Sequence, residues 1–345
     1  MKGIILSGGL GTRLRPLTHT GAKQLIPIAN KPILEYCIDQ LTGCGITEIG
    51  IIVGHTKERI DSVKKVIGNG QRWGIRIMYI RQDSPLGISH AVYCAKRFIG
   101  NNDFVVFLGD NILRDDIAPV IAKFKENSLD AGMLLSEEKD PRPYGVAVLD
   151  GDRVIGIIEK PNVPPSNLVV TGIYYFSPGV FDVIERQNLS RRGEIEVSET
   201  LQTMITSSQY RTGAARIQGW WDDTGTSDAI LRANRLILAD IGEIVIGGGT
   251  EVNPDAVLKG PLVIGKNCII GDTCLGPYTS VGDNCVIHGG DIESCILVGD
   301  TDIDVEPDER ITDSLIGRHT RIYSKMKRIS NAMKLIVGEN TEIWI

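Results

Sequence analysis

Between residues 257 and 287 an aliphatic residue returns at every sixth position: Val257, Val263, Ile269, Leu275, Val281 and Ile287. Few folds accept that period. Amphipathic helices repeat at about 3.6 residues and half-buried strands at about 2, so neither produces it. One inward aliphatic per hexad is the mark of a left-handed parallel β-helix, in which three hexads close one triangular coil. Cys268, Cys274 and Ser280 fill the small position just before three of these residues, and Cys268 and Cys274 are expected to stack as core thiols. Val298-Gly299, Ile316-Gly317 and Val337-Gly338 extend the pattern at intervals of roughly one coil, with residues 324–333 read as an inserted loop. A single coil leaves its apolar row open, so coils must stack on one another.

Before residue 240 the pattern is different. Short apolar runs at 3–7, 48–53, 75–80, 104–108, 131–136, 145–149, 154–159 and 169–176 alternate with amphipathic stretches. Those stretches, at 32–43, 57–68, 87–98, 116–127, 178–186, 197–206 and 227–240, are the candidate helices. The alternation predicts an α/β domain over 1–240, with a parallel sheet flanked by helices, and the solenoid over 241–345. In such sheets ligands bind beyond the carboxyl ends of the strands. Gly8 and Gly9, after the first run, and Gly109-Asp110, after the fourth, are thereby expected on one rim.

Composition narrows the function. A formal net charge of −6 argues against a nucleic-acid partner, whose binding face would be basic. No apolar run approaches the ~20 residues that span a bilayer, and Met1-Lys2 leads straight into a strand, so a cytoplasmic protein with no membrane partner is expected. The seven cysteines contain no CxxC pair, and His19, His55, His90, His288 and His319 are scattered, which argues against disulfides and zinc.

The chemistry points to phosphates. The apolar residues Ile4, Ile5 and Leu6 of the first strand lead into Ser7-Gly8-Gly9-Leu10-Gly11-Thr12-Arg13, where three glycines bare the backbone N–H groups. Arg13 and Arg15 follow, and Lys23-Gln24 closes the stretch. No Gly-Lys-Ser/Thr follows, which excludes a P-loop, and Leu14 stands where a dinucleotide fingerprint needs its last glycine. The stretch is suited to a polyphosphate. Asp110 in Leu108-Gly109-Asp110-Asn111 and Asp223 in Trp221-Asp222-Asp223-Thr224-Gly225 each sit at the tip of an element. That suits Mg²⁺, which takes one or two carboxylates beside phosphate oxygens. Gln82 and Gly87, in Gln82-Asp83-Ser84-Pro85-Leu86-Gly87, supply an amide and a bare backbone able to read a base edge. Tyr144-Gly145, Glu159-Lys160-Pro161 and Val170-Thr171-Gly172 fit a sugar phosphate: a carboxylate for hydroxyls, a lysine for the dianion.

GGxGTRLxPLT…K resembles the signature of sugar-nucleotide pyrophosphorylases, and the whole chain resembles the long form of the glucose-1-phosphate thymidylyltransferases. The resemblance implies a Rossmann-like nucleotidyltransferase domain with a mixed, mainly parallel sheet. It implies that Arg13, Lys23, Lys160 and Arg192 act in catalysis and that Asp110 and Asp223 hold Mg²⁺, with Asp222 secondary. Leu6, Gly8, Gly9, Gly11, Thr12, Gln24, Gln82, Pro85, Gly87 and Asp110 would then bind the nucleotide. Tyr144, Gly145, Glu159, Lys160, Val170, Thr171 and Trp221 would bind the sugar phosphate. Lys23-Gln24 resembles the thymidylyl branch, and Arg192-Gly193-Glu194-Ile195-Glu196 matches the family's R-G-E-[LI]-E. The implied substrates are dTTP and glucose 1-phosphate, with a homo-oligomer built through the β-helix. Alternatives are a UTP-preferring uridylyltransferase, a bifunctional acyltransferase using His288 or His319, and a non-catalytic nucleotide-binding subunit.

Overall fold

The computed structural model describes residues 1–19, 21–54, 56–151, 153–324 and 332–345. His55 and residues 325–331 of the expected inserted loop lie outside the described residues. Among those described, no helix is long and apolar enough to cross a membrane. The chain forms two compact units that do not follow chain order. One comprises Met1–Gly9 and Leu34–Asp223, the other Leu10–Ile33 and Thr224–Ile345. The helix Ser227–Ile241, read from sequence as the end of the first domain, thus groups with the solenoid.

The first unit is built on a mixed sheet. From edge to edge its main path runs Arg153–Glu159, Gly145–Asp150, Leu168–Phe176, Phe104–Leu108, Lys2–Ser7, Glu48–Val53 and Arg76–Arg81. Lys2–Ser7 is parallel to both its neighbours, whereas Leu168–Phe176 runs antiparallel to Phe104–Leu108. Ile4, Ile5, Val105, Val106 and Phe107 are fully buried, as expected of strands covered on both faces. Ala131–Glu137 pairs with Leu168–Phe176 and carries the parallel edge strand Thr212–Arg216. A separate ribbon pairs Asn111–Leu113 with Trp221–Asp223.

Three of these strands were not expected. Thr212–Arg216 and Trp221–Asp223 are rich in glycine, alanine or aspartate, residues that strands disfavour, and Asn111–Leu113 is only three residues long; their partners impose the conformation. The expected helix 87–98 is two, Ile88–Cys94 and Lys96–Ile99.

Among the described residues, the second unit stacks three parallel sheets of six, six and four strands, the faces of a left-handed β-helix. Here the inward row needs correction. Val257 and Ile269 are 52% and 47% exposed and face outward. The buried row runs through Ile264, Ile270, Leu275, Val281, Ile287 and Ile292. Ladder partners are Leu258 with Leu275, Ile264 with Val281 and Ile270 with Ile287, each 17 residues apart. One side of the coil is therefore a residue short of a hexad, between Ile270 and Leu275. A strict six-residue count misses that step because the outward row is aliphatic too.

The thiols shift with it. Cys268 lies beside Ile269, which pairs with Val286, so it stacks on Cys285, and both are buried. Cys274 pairs with Val257 and is only half-buried. Ile316-Gly317 and Val337-Gly338 are in register, but it is Leu297, not Val298, that pairs with Ile316. Leu275→Ala should therefore cost about 2–5 kcal/mol, and Val257→Ala within about 0.5 kcal/mol. Denaturant unfolding separates the two, and equal losses would restore the unbroken hexad row.

Candidate active site

The ends of two central strands are tied together: Gly109 N donates to Leu6 O at 3.0 Å. Asp110 comes next, followed by the ribbon in which Asp223 stands opposite Asn111. Two aspartates far apart in sequence thus line one cavity of about 190 Å³. Asn111 links its walls. Its Nδ2 donates to Asp110 Oδ1 at 3.2 Å, and its Oδ1 accepts from Trp221 Nε1 at 2.7 Å. Trp221 Nε1 also reaches Thr171 O at 3.1 Å, and the Tyr144 ring meets the indole edge-on at 5.3 Å. Asp222, between Trp221 and Asp223, is buried.

Glu159 and Lys160 also line the cavity, with Tyr144, Gly145, Val170 and Thr171. Lys160 Nζ lies 3.6 Å from Glu159 Oε1, and Arg192 Nη1 lies 3.4 Å from the same oxygen. Arg192 also meets Glu194 and Glu196 at 3.6 and 3.5 Å, so its guanidinium is held by three carboxylates. Lys160 has φ +45°, a left-handed conformation that a lysine keeps only where its surroundings enforce it. Its N–H donates to Tyr144 O at 2.9 Å, joining the two segments. Thr171 Oγ1 donates its one proton to Leu134 O at 3.1 Å, so the hydroxyl keeps only acceptor capacity.

A bulge shapes this wall. The register between Leu168–Phe176 and Ala131–Glu137 slips between Val170 and Tyr174, around Gly172 at φ +80°. A Cβ on Gly172 would lie 2.5 Å from Leu108 Cδ1 and 3.2 Å from Asn111 Nδ2.

Tyr174 and Ser198 line the cavity and were missed in the sequence. Burial, and then the Glu159 charge, push the Tyr174 hydroxyl well above its ordinary pKa, so it stays a neutral donor. Ser198 is 5% exposed and its Oγ has no hydrogen-bond partner among the described residues. Ser198 lies two residues past the Arg192–Glu196 motif, which was the signal available.

The loop 82–87 is stapled to the same motif: Ile195 N donates to Leu86 O at 2.7 Å. Gln82 is buried against the glycine loop, and a Cβ on Gly8 would lie 2.9 Å from its Oε1. Its Nε2 donates to Gly87 O at 3.3 Å and lies 3.2 Å from His90 Nδ1. Gly9 O accepts from Arg59 Nη1 at 3.1 Å. Leu6, Gly8, Gly9, Gln82, Pro85, Gly87 and Asp110 all belong to the first unit, with the cavity.

Gly11, Thr12, Arg13, Lys23 and Gln24 belong to the second unit. No α-helix follows the glycines directly. Instead three 3-10 turns run through Thr12–Leu14, Leu17–His19 and Lys23–Leu25. Gly11 O accepts from Thr18 Oγ1 at 2.7 Å, and a Cβ on Gly11 would lie 3.3 Å from Lys23 Cβ. Arg13 is exposed, whereas Gln24 is buried. Among the described residues no three His, Cys, Asp or Glu side chains gather as a metal cluster.

Comparison with known proteins bears on this arrangement. Residues 2–240 match the family model described as nucleotidyl transferase. The low-salt glycan biosynthesis nucleotidyltransferase Agl11 of Haloferax volcanii is 41% identical, covering 99% of this chain and 99% of its own. A glucose-1-phosphate thymidylyltransferase of Streptomyces antibioticus is 38% identical over 100% of this chain and 99% of its own. A Bacillus anthracis crystal structure, assigned as a glucose-1-phosphate thymidylyltransferase and containing sucrose, superposes with a TM-score of 0.65 at 38% identity, covering 68% of this chain and 94% of that one. With the signature at Gly8–Arg13 and this fold, the chain belongs to the nucleotidyl transferase family, within the sugar-nucleotide pyrophosphorylase superfamily.

Proposed function

We propose that the protein transfers a thymidylyl group from dTTP to α-D-glucose 1-phosphate, giving dTDP-glucose and pyrophosphate. One observation carries the reading: a single cavity is lined by Asp110 and Asp223 together with Glu159, Lys160, Tyr144 and Gly145. A sugar phosphate is already a nucleophile at neutral pH, so positioning and charge stabilisation are the main demands. Glu159 accepts from sugar hydroxyls, and Lys160 steadies the phosphate whose oxygen attacks the α-phosphorus. The bond from that phosphorus to the α–β bridging oxygen breaks, and its electron pair leaves with pyrophosphate. Arg13 and Lys23 neutralise the triphosphate, Gln82 reads the pyrimidine edge, and Arg192 keeps Glu159 oriented. The two carboxylates fit Mg²⁺, which would take its other oxygens from phosphate and water. When bound, the ion supplies charge neutralisation at the transferring phosphate.

Losing one such charge typically removes about 2–4 kcal/mol of transition-state stabilisation. Arg13→Ala should therefore lower turnover ~10²–10³-fold, read as kcat for pyrophosphate release. Ser198→Ala should raise KM for glucose 1-phosphate ~2–10-fold with kcat nearly constant, the effect of one neutral hydrogen bond. An unchanged KM would remove Ser198 from the sugar subsite.

The reading is tested by pyrophosphate release in Mg²⁺ across a nucleotide and sugar-phosphate panel. The highest kcat/KM is expected for dTTP with glucose 1-phosphate. Preference for UTP reassigns the base, since thymine and uracil share the edge Gln82 meets. CoA release from acetyl-CoA in the presence of a hexosamine phosphate would add acyl transfer, and silence with every pair would leave a binding subunit. An oligomer formed through the solenoid belongs to the same reading, and sedimentation tests it.

A further inference from the structure

The cations assigned to the triphosphate share their compact unit with the β-helix. Their segment ends in a tight hairpin in which Pro27–Ile28 pairs with Lys31–Pro32. Both turn residues, Ala29 and Asn30, have left-handed φ, +46° and +62°. Asparagine accepts that conformation readily, but alanine adopts it only under constraint. The constraint comes from the solenoid and from the helix Ser227–Ile241. Ala29 N donates to Asn234 Oδ1 at 2.9 Å, and Asn30 Nδ2 donates to Val281 O at 2.6 Å. Asn234 is completely buried in that helix. Its Oδ1 also accepts from Ser280 Oγ at 2.7 Å, and its Nδ2 donates to Tyr278 O at 3.2 Å. One amide therefore ties the hairpin tip, the helix and a coil together.

From the hairpin to the cations the chain is short and bonded. Ile33 N donates to Ile26 O at 3.2 Å, and Ile26 N to Lys23 O at 3.1 Å. Lys23 Cβ in turn packs on Gly11, two residues before Arg13. A second contact holds the middle of the segment: a Cβ on Gly338, in a late coil, would lie 3.2 Å from Pro16 Cβ. The solenoid thus fixes the cationic segment at the hairpin tip and again at Pro16.

We infer that the β-helix is a positioning element for the triphosphate-binding segment, with Asn234 and Asn30 as the positioning residues that set Arg13 and Lys23. This rests on the reading in which those two cations meet the triphosphate. It assigns the solenoid a part in nucleotidyl transfer beyond assembly.

Asn30→Gly is the sharpest test, because glycine keeps the left-handed turn and removes a side chain that bonds Val281 through Nδ2 and whose Oδ1 has no hydrogen-bond partner among the described residues. The expected result is a ~10–100-fold lower kcat/KM for dTTP, the scale of a small misplacement of binding groups. KM for glucose 1-phosphate should hold, since the sugar cavity belongs to the other unit. Affinity for inorganic tripolyphosphate, by titration calorimetry, should fall in step, and amide exchange over residues 10–28 should quicken. Asn234→Ala should give a larger change of the same kind. A lower melting temperature with unchanged dTTP kinetics, tripolyphosphate affinity and exchange would overturn the inference. If the wild type releases no pyrophosphate with any pair, the enzymatic reading falls, while tripolyphosphate affinity and exchange still decide the positioning role.

Discussion

Asp223→Asn is expected to lower pyrophosphate release ~10²–10³-fold at saturating Mg²⁺ while leaving the fold intact. The substitution keeps the shape of the side chain and removes one charge from a cavity also lined by Asp110 and Glu159. Asp223 pairs across the ribbon with Asn111, whose Nδ2 donates to Asp110 Oδ1, so both aspartates sit at the same end of the ribbon. Asp110→Asn should match it, and the double substitution should cost little more than either alone, as for groups that act together. Steady-state rates over a Mg²⁺ titration, with melting curves as control, check this. Near-normal turnover in either variant would remove the pair from the reaction.

Gly172→Ala is expected to damage stability and activity together. Its φ of +80° is unfavourable for alanine, and the new Cβ would press on Leu108 at 2.5 Å. Left-handed strain and overpacking together should cost about 2–4 kcal/mol in denaturant unfolding. Leu108 and Asn111 both line the cavity, so displacing them moves Asp110, and turnover should fall at least ~10-fold. A variant that lost stability but kept its turnover would show that the bulge serves the sheet and not the site.

Much of this arrangement is legible in the amino-acid sequence. The central strands were legible because Ile4, Ile5 and Val105–Phe107 are apolar on both faces, a pattern local to each run. The residues proposed for the sugar phosphate read as motifs, and the cavity gathers Tyr144, Gly145, Glu159, Lys160, Val170, Thr171 and Trp221 with both aspartates. What stayed hidden depends on pairing between distant segments. The ribbon joining Asp223 to Asn111 is built from strands of only three residues, too short to show a period. The step between Ile270 and Leu275 was masked by a second aliphatic row. Ser198 has no pattern of its own beyond its nearness to the Arg192–Glu196 motif, and its place on the cavity wall and its Oγ, unpartnered among the described residues, identify it. The grouping of residues 10–33 with the solenoid follows from hydrogen bonds such as that of Ala29 to Asn234, which span a large part of the chain.

Direct attack by the sugar phosphate is best tested with glucose 1-phosphate carrying ¹⁸O at every phosphate oxygen. The expected result is that dTDP-glucose retains the full label and pyrophosphate carries none. Loss of label from the nucleotide sugar, or its appearance in pyrophosphate, would contradict a transfer in which the sugar phosphate itself is the nucleophile.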